Sequence, residues 1–172
     1  MAVREILLYP DPVLRRPARA VETFDTELRR LVDDLAATMY AAPGVGLAAP
    51  QVGVGLRVAV VDVAAGTPEA RLNVLVNPRL VVAEGQQTEE EGCLSIPGLA
   101  EKVIRPRRVV VEAQGVAGEP LRLAGEGLLA RALCHEIDHL DGILFVDRLT
   151  GLRKELTLRR LRKLPYLQEA SA

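Results

Sequence analysis

Gly127-Leu128-Leu129-Ala130-Arg131-Ala132-Leu133-Cys134-His135-Glu136-Ile137-Asp138-His139-Leu140 joins a helix signal to a metal-ligand pattern. After its opening glycine the stretch has no Gly or Pro and is rich in Leu and Ala, which predicts a buried helix. On such a helix His135 and His139 lie one turn apart on the same face, so both imidazoles can reach one cation, and Glu136 stands beside them. This is an HExxH arrangement.

The composition narrows the remaining ligand. The chain has 2 histidines and 2 cysteines, so a third ligand must be a cysteine or a carboxylate. The extended HExxHxxGxxH pattern of metzincin proteases is excluded: Gly142 fits it, but Phe145 stands where a third histidine is needed. Cys134 directly precedes His135, and a one-residue step turns about 100° around a helix, so its sulfur leaves the metal-facing side. Cys93 sits between Gly92 and the Pro97-Gly98 pair, where the backbone can bend toward a site, and is the better candidate. Three protein ligands leave a coordination position open for water, unlike a closed structural zinc site. Glu136, not needed as a ligand, can take that water's proton. These residues predict a metal-assisted hydrolase.

Outward from this helix the chain divides simply. Phe24 to Ala42 carries Leu28, Leu31, Leu35 and Met39 at the spacing of one buried helical stripe, with Asp25 as N-cap. Pro43-Gly44 ends it, and the Gly- and Pro-rich run from Gly44 to Gly53 predicts a shaped loop. Short β-branched runs at Val58–Val61, Leu72–Val76, Leu80–Val82 and Val109–Val111, then Leu121–Leu123, predict mostly antiparallel strands. Gly151 to Leu164 predicts a C-terminal amphipathic helix. A helix, a run of strands and two further helices indicate an α+β fold, with mostly antiparallel strands packed around a central HExxH helix. One catalytic domain spans 1–172, with a frayed tail over 168–172.

With 49% apolar and 26% charged residues, the 172-residue chain has ordinary globular composition. No apolar run is long enough to cross a bilayer and no signal-peptide pattern opens the chain, so a cytoplasmic, reducing location without a disulfide is expected. A net charge of −1 gives no global attraction to DNA or an anionic membrane.

Three segments in order, Gly44-Val45-Gly46-Leu47-Ala48-Ala49-Pro50-Gln51, Glu91-Gly92-Cys93-Leu94-Ser95 and His135-Glu136-Ile137-Asp138-His139, resemble the signature motifs of peptide deformylases, and the resemblance runs from about Ile6 to Leu164. It implies an enzyme that removes the N-formyl group from formyl-methionine on newly made polypeptides and releases formate. Cys93, His135 and His139 then hold one divalent ion, ferrous iron in the cell, with zinc, nickel or cobalt as substitutes, and Glu136 is the acid/base. The resemblance adds the Gln51 amide and the Leu94 backbone N–H as oxyanion donors. It also has an extended substrate pair with Gly46, Gly92 and neighbouring edge groups, its methionine side chain entering a pocket of Val45, Glu91 and Leu128.

Two positions depart from the family pattern. Cys134 stands where Gln is common, and Arg131 stands where other members can be apolar, placing it at the pocket rim. Two other readings compete: a metalloprotease cutting internal bonds, and a ribosome- or RNA-binding protein using Arg153, Lys154, Arg159, Arg160, Arg162 and Lys163. A basic C-terminal helix in weak contact with the ribosome is also compatible with the enzyme.

Overall fold

The computed structural model describes residues 1–171. Helix α1 (Thr26–Ala41) is followed by β1 (Gly46–Ala48), β2 (Val58–Val61), β3 (Asn73–Glu84), β4 (Gln87–Cys93), β5 (Ile96–Arg105), β6 (Arg108–Gln114) and β7 (Pro120–Glu126). Helices α2 (Leu128–Leu140), α3 (Gly151–Arg162) and α4 (Pro165–Ala170) complete the chain. The fold is α+β, with an antiparallel five-stranded sheet in the order β1-β2-β3-β6-β7 and an antiparallel β4–β5 hairpin.

The Val58-Ala59-Val60-Val61 run explains how the large sheet is covered. Successive strand residues point to opposite faces, yet all four are buried. Val58 and Val60 pack with Leu28, Leu31, Leu35 and Met39 of α1. On the other face Val61 packs with Ala130, Leu133 and Ile137 of α2, and Ala59 meets Leu140. Burying one such Val or Leu side chain is worth about 1.5–3 kcal/mol relative to exposure. A strand apolar on both faces therefore needs a helix on each. The Asp25 carboxylate caps α1 by accepting from Leu28 N at 3.0 Å, as its position predicts.

Several elements differ from the sequence reading. The run Leu72–Val76, from Asn73 on, and Leu80–Val82 belong to one strand, β3, which crosses Asn77-Pro78 with Asn77 at φ 51° and an irregular register there. The Asn77 amide compensates for the break by bonding Val21 N, Val21 O and Gln114 Oε1. Strand β4 was not legible because Gln87-Thr88-Glu89-Glu90 is polar with no apolar alternation, and β5 because its buried Ile96, Leu99 and Val103 do not follow a period of two. The Gly44–Gly53 loop contains β1, paired antiparallel with β2. Gln168 to Ala170, read as tail, continues helix α4, while Ala172 lies outside the described residues.

Helix α2 runs between the large sheet and a second apolar cluster, in which Ile96, Leu99 and Val103 of β5 meet Leu144, Phe145, Leu161 and Leu164. It thus carries its polar residues inside the protein.

Candidate active site

Burial makes the polar face of α2 unusual: His135, Glu136, Asp138 and His139 are all buried. His139 Nε2 lies 3.1 Å from His135 Nε2 and 3.3 Å from Cys93 Sγ. The three donor atoms lie within 4.8 Å of one another, the sulfur arriving from the end of β4. His135 Nδ1 faces Glu91 Oε2 at 3.1 Å. An ionised carboxylate only accepts, so this nitrogen carries the proton and the Nε2 lone pair is left to point at Cys93 and His139. The Phe145 ring stacks on His135 at 6.3 Å between centroids.

Three lone-pair donors of Cys and His type, converging in a buried site, match the ligand set of a divalent transition metal. Without a cation they would face one another with a single shared proton at most between any two. The residues therefore fit a metal.

Glu136 projects from the next position over β1. Its carboxylate packs so closely on Gly46 that a Cβ there would stand 2.9 Å from Cδ and 3.0 Å from Cγ. Its Oε2 is buried without a hydrogen-bond partner. Burial above all pushes its pKa up to about 7, which suits a group that both takes and gives a proton near neutrality. Burial also pulls His139 well below the ordinary histidine value. At Glu91 burial acts upward, but hydrogen bonds from His135 and Arg105 outweigh it and hold the carboxyl at about 2.

The Gln51 amide is oriented unambiguously. Its Oε1 accepts from Ala48 N at 2.9 Å, while Nε2 donates to Ser95 Oγ at 3.1 Å and lies 3.7 Å from Cys93 Sγ. The donor end therefore faces the metal-ligand side. Leu94 follows Cys93 in the β4–β5 turn, and its side chain presses on Gly44, where a Cβ would stand 2.8 Å from Leu94 Cδ1.

A cleft of about 440 Å³ gathers nearly every residue singled out from the sequence: Val45, Gly46, Gln51, Glu91, Gly92, Cys93, Leu94, Leu128, Arg131, His135 and Glu136 line it. His139 lies beneath, almost wholly buried. Val45 and Leu128 are each 42% exposed, so they are open cleft wall rather than filled core. Glu91 departs from the expectation of an ordinary pocket wall, because its carboxylate is turned to His135 and Arg105. Arg131 rims the cleft and donates through Nη1 to the Glu90 carbonyl at 3.2 Å. Cys134 is buried on the far side of α2, where burial pushes its thiol up to about 11.

Sequence reasoning missed Ser95, Arg105 and Arg148. Asp138 offered a signal, a charged residue inside an apolar helical pattern. Arg105 offered none, since nothing local shows that β5 turns it inward.

A sequence model of the family described as polypeptide deformylase matches residues 3–155. The chain belongs to this family. A peptide deformylase from Acidobacterium capsulatum is 51% identical over 165 residues, covering 95% of this chain and 96% of the relative. The crystal structure of a peptide deformylase from Legionella pneumophila superposes with a TM-score of 0.89 at 48% identity, covering 98% of each chain. The peptide deformylase from Thermus thermophilus gives 0.89 at 45% identity, covering 99% of this chain and 100% of that one. The protein is thus an enzyme of the deformylase family, a hydrolase of protein biosynthesis. Its candidate metal-binding group is Cys93, His135 and His139.

Proposed function

We propose that this enzyme hydrolyses the N-formyl group of formyl-methionyl nascent polypeptides in the cytoplasm, using one divalent ion held by Cys93, His135 and His139. The reading rests chiefly on one observation: a converging Cys/His/His donor set, with His139 buried beneath it, beside the unpartnered Oε2 of Glu136 in an open cleft. When bound, the ion supplies Lewis-acid polarisation of water and of the formyl carbonyl. A donor set mixing thiolate and imidazole accepts ferrous iron, which we assign in the cell, as well as zinc, nickel or cobalt.

Glu136 takes a proton from the attacking water and passes it to the amide nitrogen as the C–N bond breaks. The water oxygen leaves in formate and the peptide leaves with a free amine. Gln51 Nε2 and the Leu94 N–H donate to the carbonyl oxygen as charge builds on it. Strand β1 is an edge strand, paired only with β2 among the described residues. Its free side at Gly46, with Gly92 across the cleft, is suited to pair with an extended substrate backbone. Val45 and Leu128 flank the substrate side chain, and the Arg131 stem borders the rim.

On α3, Arg160 and Arg153 lie 3.3 and 4.0 Å from Glu101, and Arg159 pairs with Glu155 at 2.6 Å. Lys154, Arg162 and Lys163 are left as the groups for a weak, salt-sensitive ribosome contact. No described helix is long and apolar enough to cross a membrane.

The test is a formate-release assay on formyl-Met-Ala-type peptides, with acetylated and unblocked peptides alongside. Formate from the formylated peptide alone is expected. Internal cleavage without formate would move the activity to a protease.

A further inference from the structure

Two buried carboxylates on different elements, Glu91 of β4 and Asp138 of α2, share one buried guanidinium. Arg105, the last residue of β5, donates through Nε and Nη2 to the two Glu91 oxygens at 3.2 and 2.7 Å. Its Nη1 donates to Asp138 Oδ2 at 2.6 Å. Arg148, which ends the single-turn helix Phe145–Arg148, grips Asp138 from outside with Nε at 3.0 Å and Nη2 at 2.6 Å. Inward, the same Oε2 of Glu91 that Arg105 holds accepts from His135 Nδ1.

The result is a continuous run, Arg148–Asp138–Arg105–Glu91–His135. Arg105 is only 4% exposed. Two guanidiniums balance two carboxylates. Burying such a set is costly, and apolar replacements of similar volume are often as stable, so stability alone gives a poor reason for it. Its geometry points to orientation, because a hydrogen-bonded carboxylate behind an imidazole sets both ring angle and tautomer.

We propose that Arg105 is a positioning residue of the metal centre: it locks Glu91, and Glu91 holds His135 with Nδ1 protonated and Nε2 turned to Cys93 and His139. This rests on the reading of those three residues as metal ligands. Asp138 and Arg148 anchor Arg105 from the other side, on the face of α2 away from the cleft.

The test measures Co(II) binding by chelator competition, with the visible spectrum of the bound ion and the melting temperature of the metal-free protein. Arg105→Lys keeps the charge but loses the two-pronged grip, and Glu91→Gln cannot offer oxygen to Arg105 on both sides. Each should weaken Co(II) binding by about 10–100-fold and alter the spectrum. The double variant should bind no worse than the weaker single one, since the two act in series. Arg4→Met, which breaks the Arg4–Asp34 pair, should leave Co(II) binding unchanged.

A folded Arg105→Lys with wild-type affinity overturns the proposal, as does a double variant whose losses multiply. Folded Glu91→Gln with wild-type affinity overturns it however Arg105→Lys behaves. If the wild-type chain takes up no Co(II), or Cys93→Ser takes it up as tightly, the metal reading falls as well. Native binding with an indifferent Arg105→Lys removes only the positioning role.

Discussion

Gly46→Ala adds a single methyl group to β1, and the structure says where the methyl must go. The new Cβ would stand 2.9 Å from Glu136 Cδ and 3.0 Å from Cγ, and closer still to Oε1. Ordinary contact begins near 3.4 Å, so the carboxylate has to retreat by about half an ångström at Cδ, and by on the order of 1 Å at its oxygen. The strand cannot give way easily, because Gly46 is in register with Val61 of the doubly covered β2. Glu136 is 4% exposed and hemmed in on α2, so it moves as a misplaced group rather than swinging into solvent. A misplacement of about 1 Å in a reacting group can cost on the order of 10² in rate. The backbone N–H and C=O that would pair with substrate remain. Steady-state formate release should therefore show kcat down about 10²-fold with KM changed much less. Overpacking should cost roughly 1–3 kcal/mol of stability in thermal unfolding. In a Glu136→Gln background the same substitution should cost little further activity. Wild-type kcat in a folded, metal-loaded Gly46→Ala variant would refute the close packing of Glu136 on β1 as a catalytic constraint.

Glu136→Gln should retain its metal by elemental analysis but lose activity at or above the upper end of about 10²–10⁴, since one residue serves both proton transfers. Gln51→Ala should lose less, on the order of 10²–10³; if Glu136→Gln releases the metal, Glu136 is a ligand. Iodoacetamide at mildly alkaline pH should label Cys93 in metal-free protein and spare buried Cys134, and in the ferrous form air should oxidise Cys93 first; mass spectrometry showing Cys134 modified before Cys93 reverses that ranking. Asp34 accepts from Ala2 N at 2.7 Å and pairs with Arg4, and these bonds lower its pKa. A carboxylate whose pKa falls on folding contributes stability above its ordinary value and loses it as pH falls through the folded value. Melting curves of wild type and Asp34→Asn should accordingly differ at neutral pH and converge in acid; a constant difference would exclude the linkage. Replacing Lys154, Arg162 and Lys163 together by Gln should weaken ribosome cosedimentation at low salt while sparing short-peptide hydrolysis, and unchanged cosedimentation would leave these charges as a solvated helix face.

Local pattern was enough for much of this protein. The i, i+4 histidines, the absence of Gly and Pro after Gly127, the stripe of Leu28, Leu31, Leu35 and Met39, and the β-branched runs are short-range signals set by helix and strand periods, so α1, α2, β2 and β6 were legible with the α+β class. So were the candidate ligands, because an HExxH helix lacking a third histidine leaves few donors, and Cys134 is turned away by helix geometry alone. Tertiary structure decided what depends on pairing across distance. Strand β4 is mostly polar and takes its order from pairing with β5, whose Ile96, Leu99 and Val103 anchor the hairpin in the second apolar cluster. That hairpin delivers Cys93 Sγ to His139 and turns Arg105 inward between Glu91 and Asp138. Glu91 shows the difference most clearly. Its motif placed it at the cleft, but whether its carboxylate faces substrate or a histidine depends on a guanidinium from another strand, and no periodicity along the chain encodes that meeting.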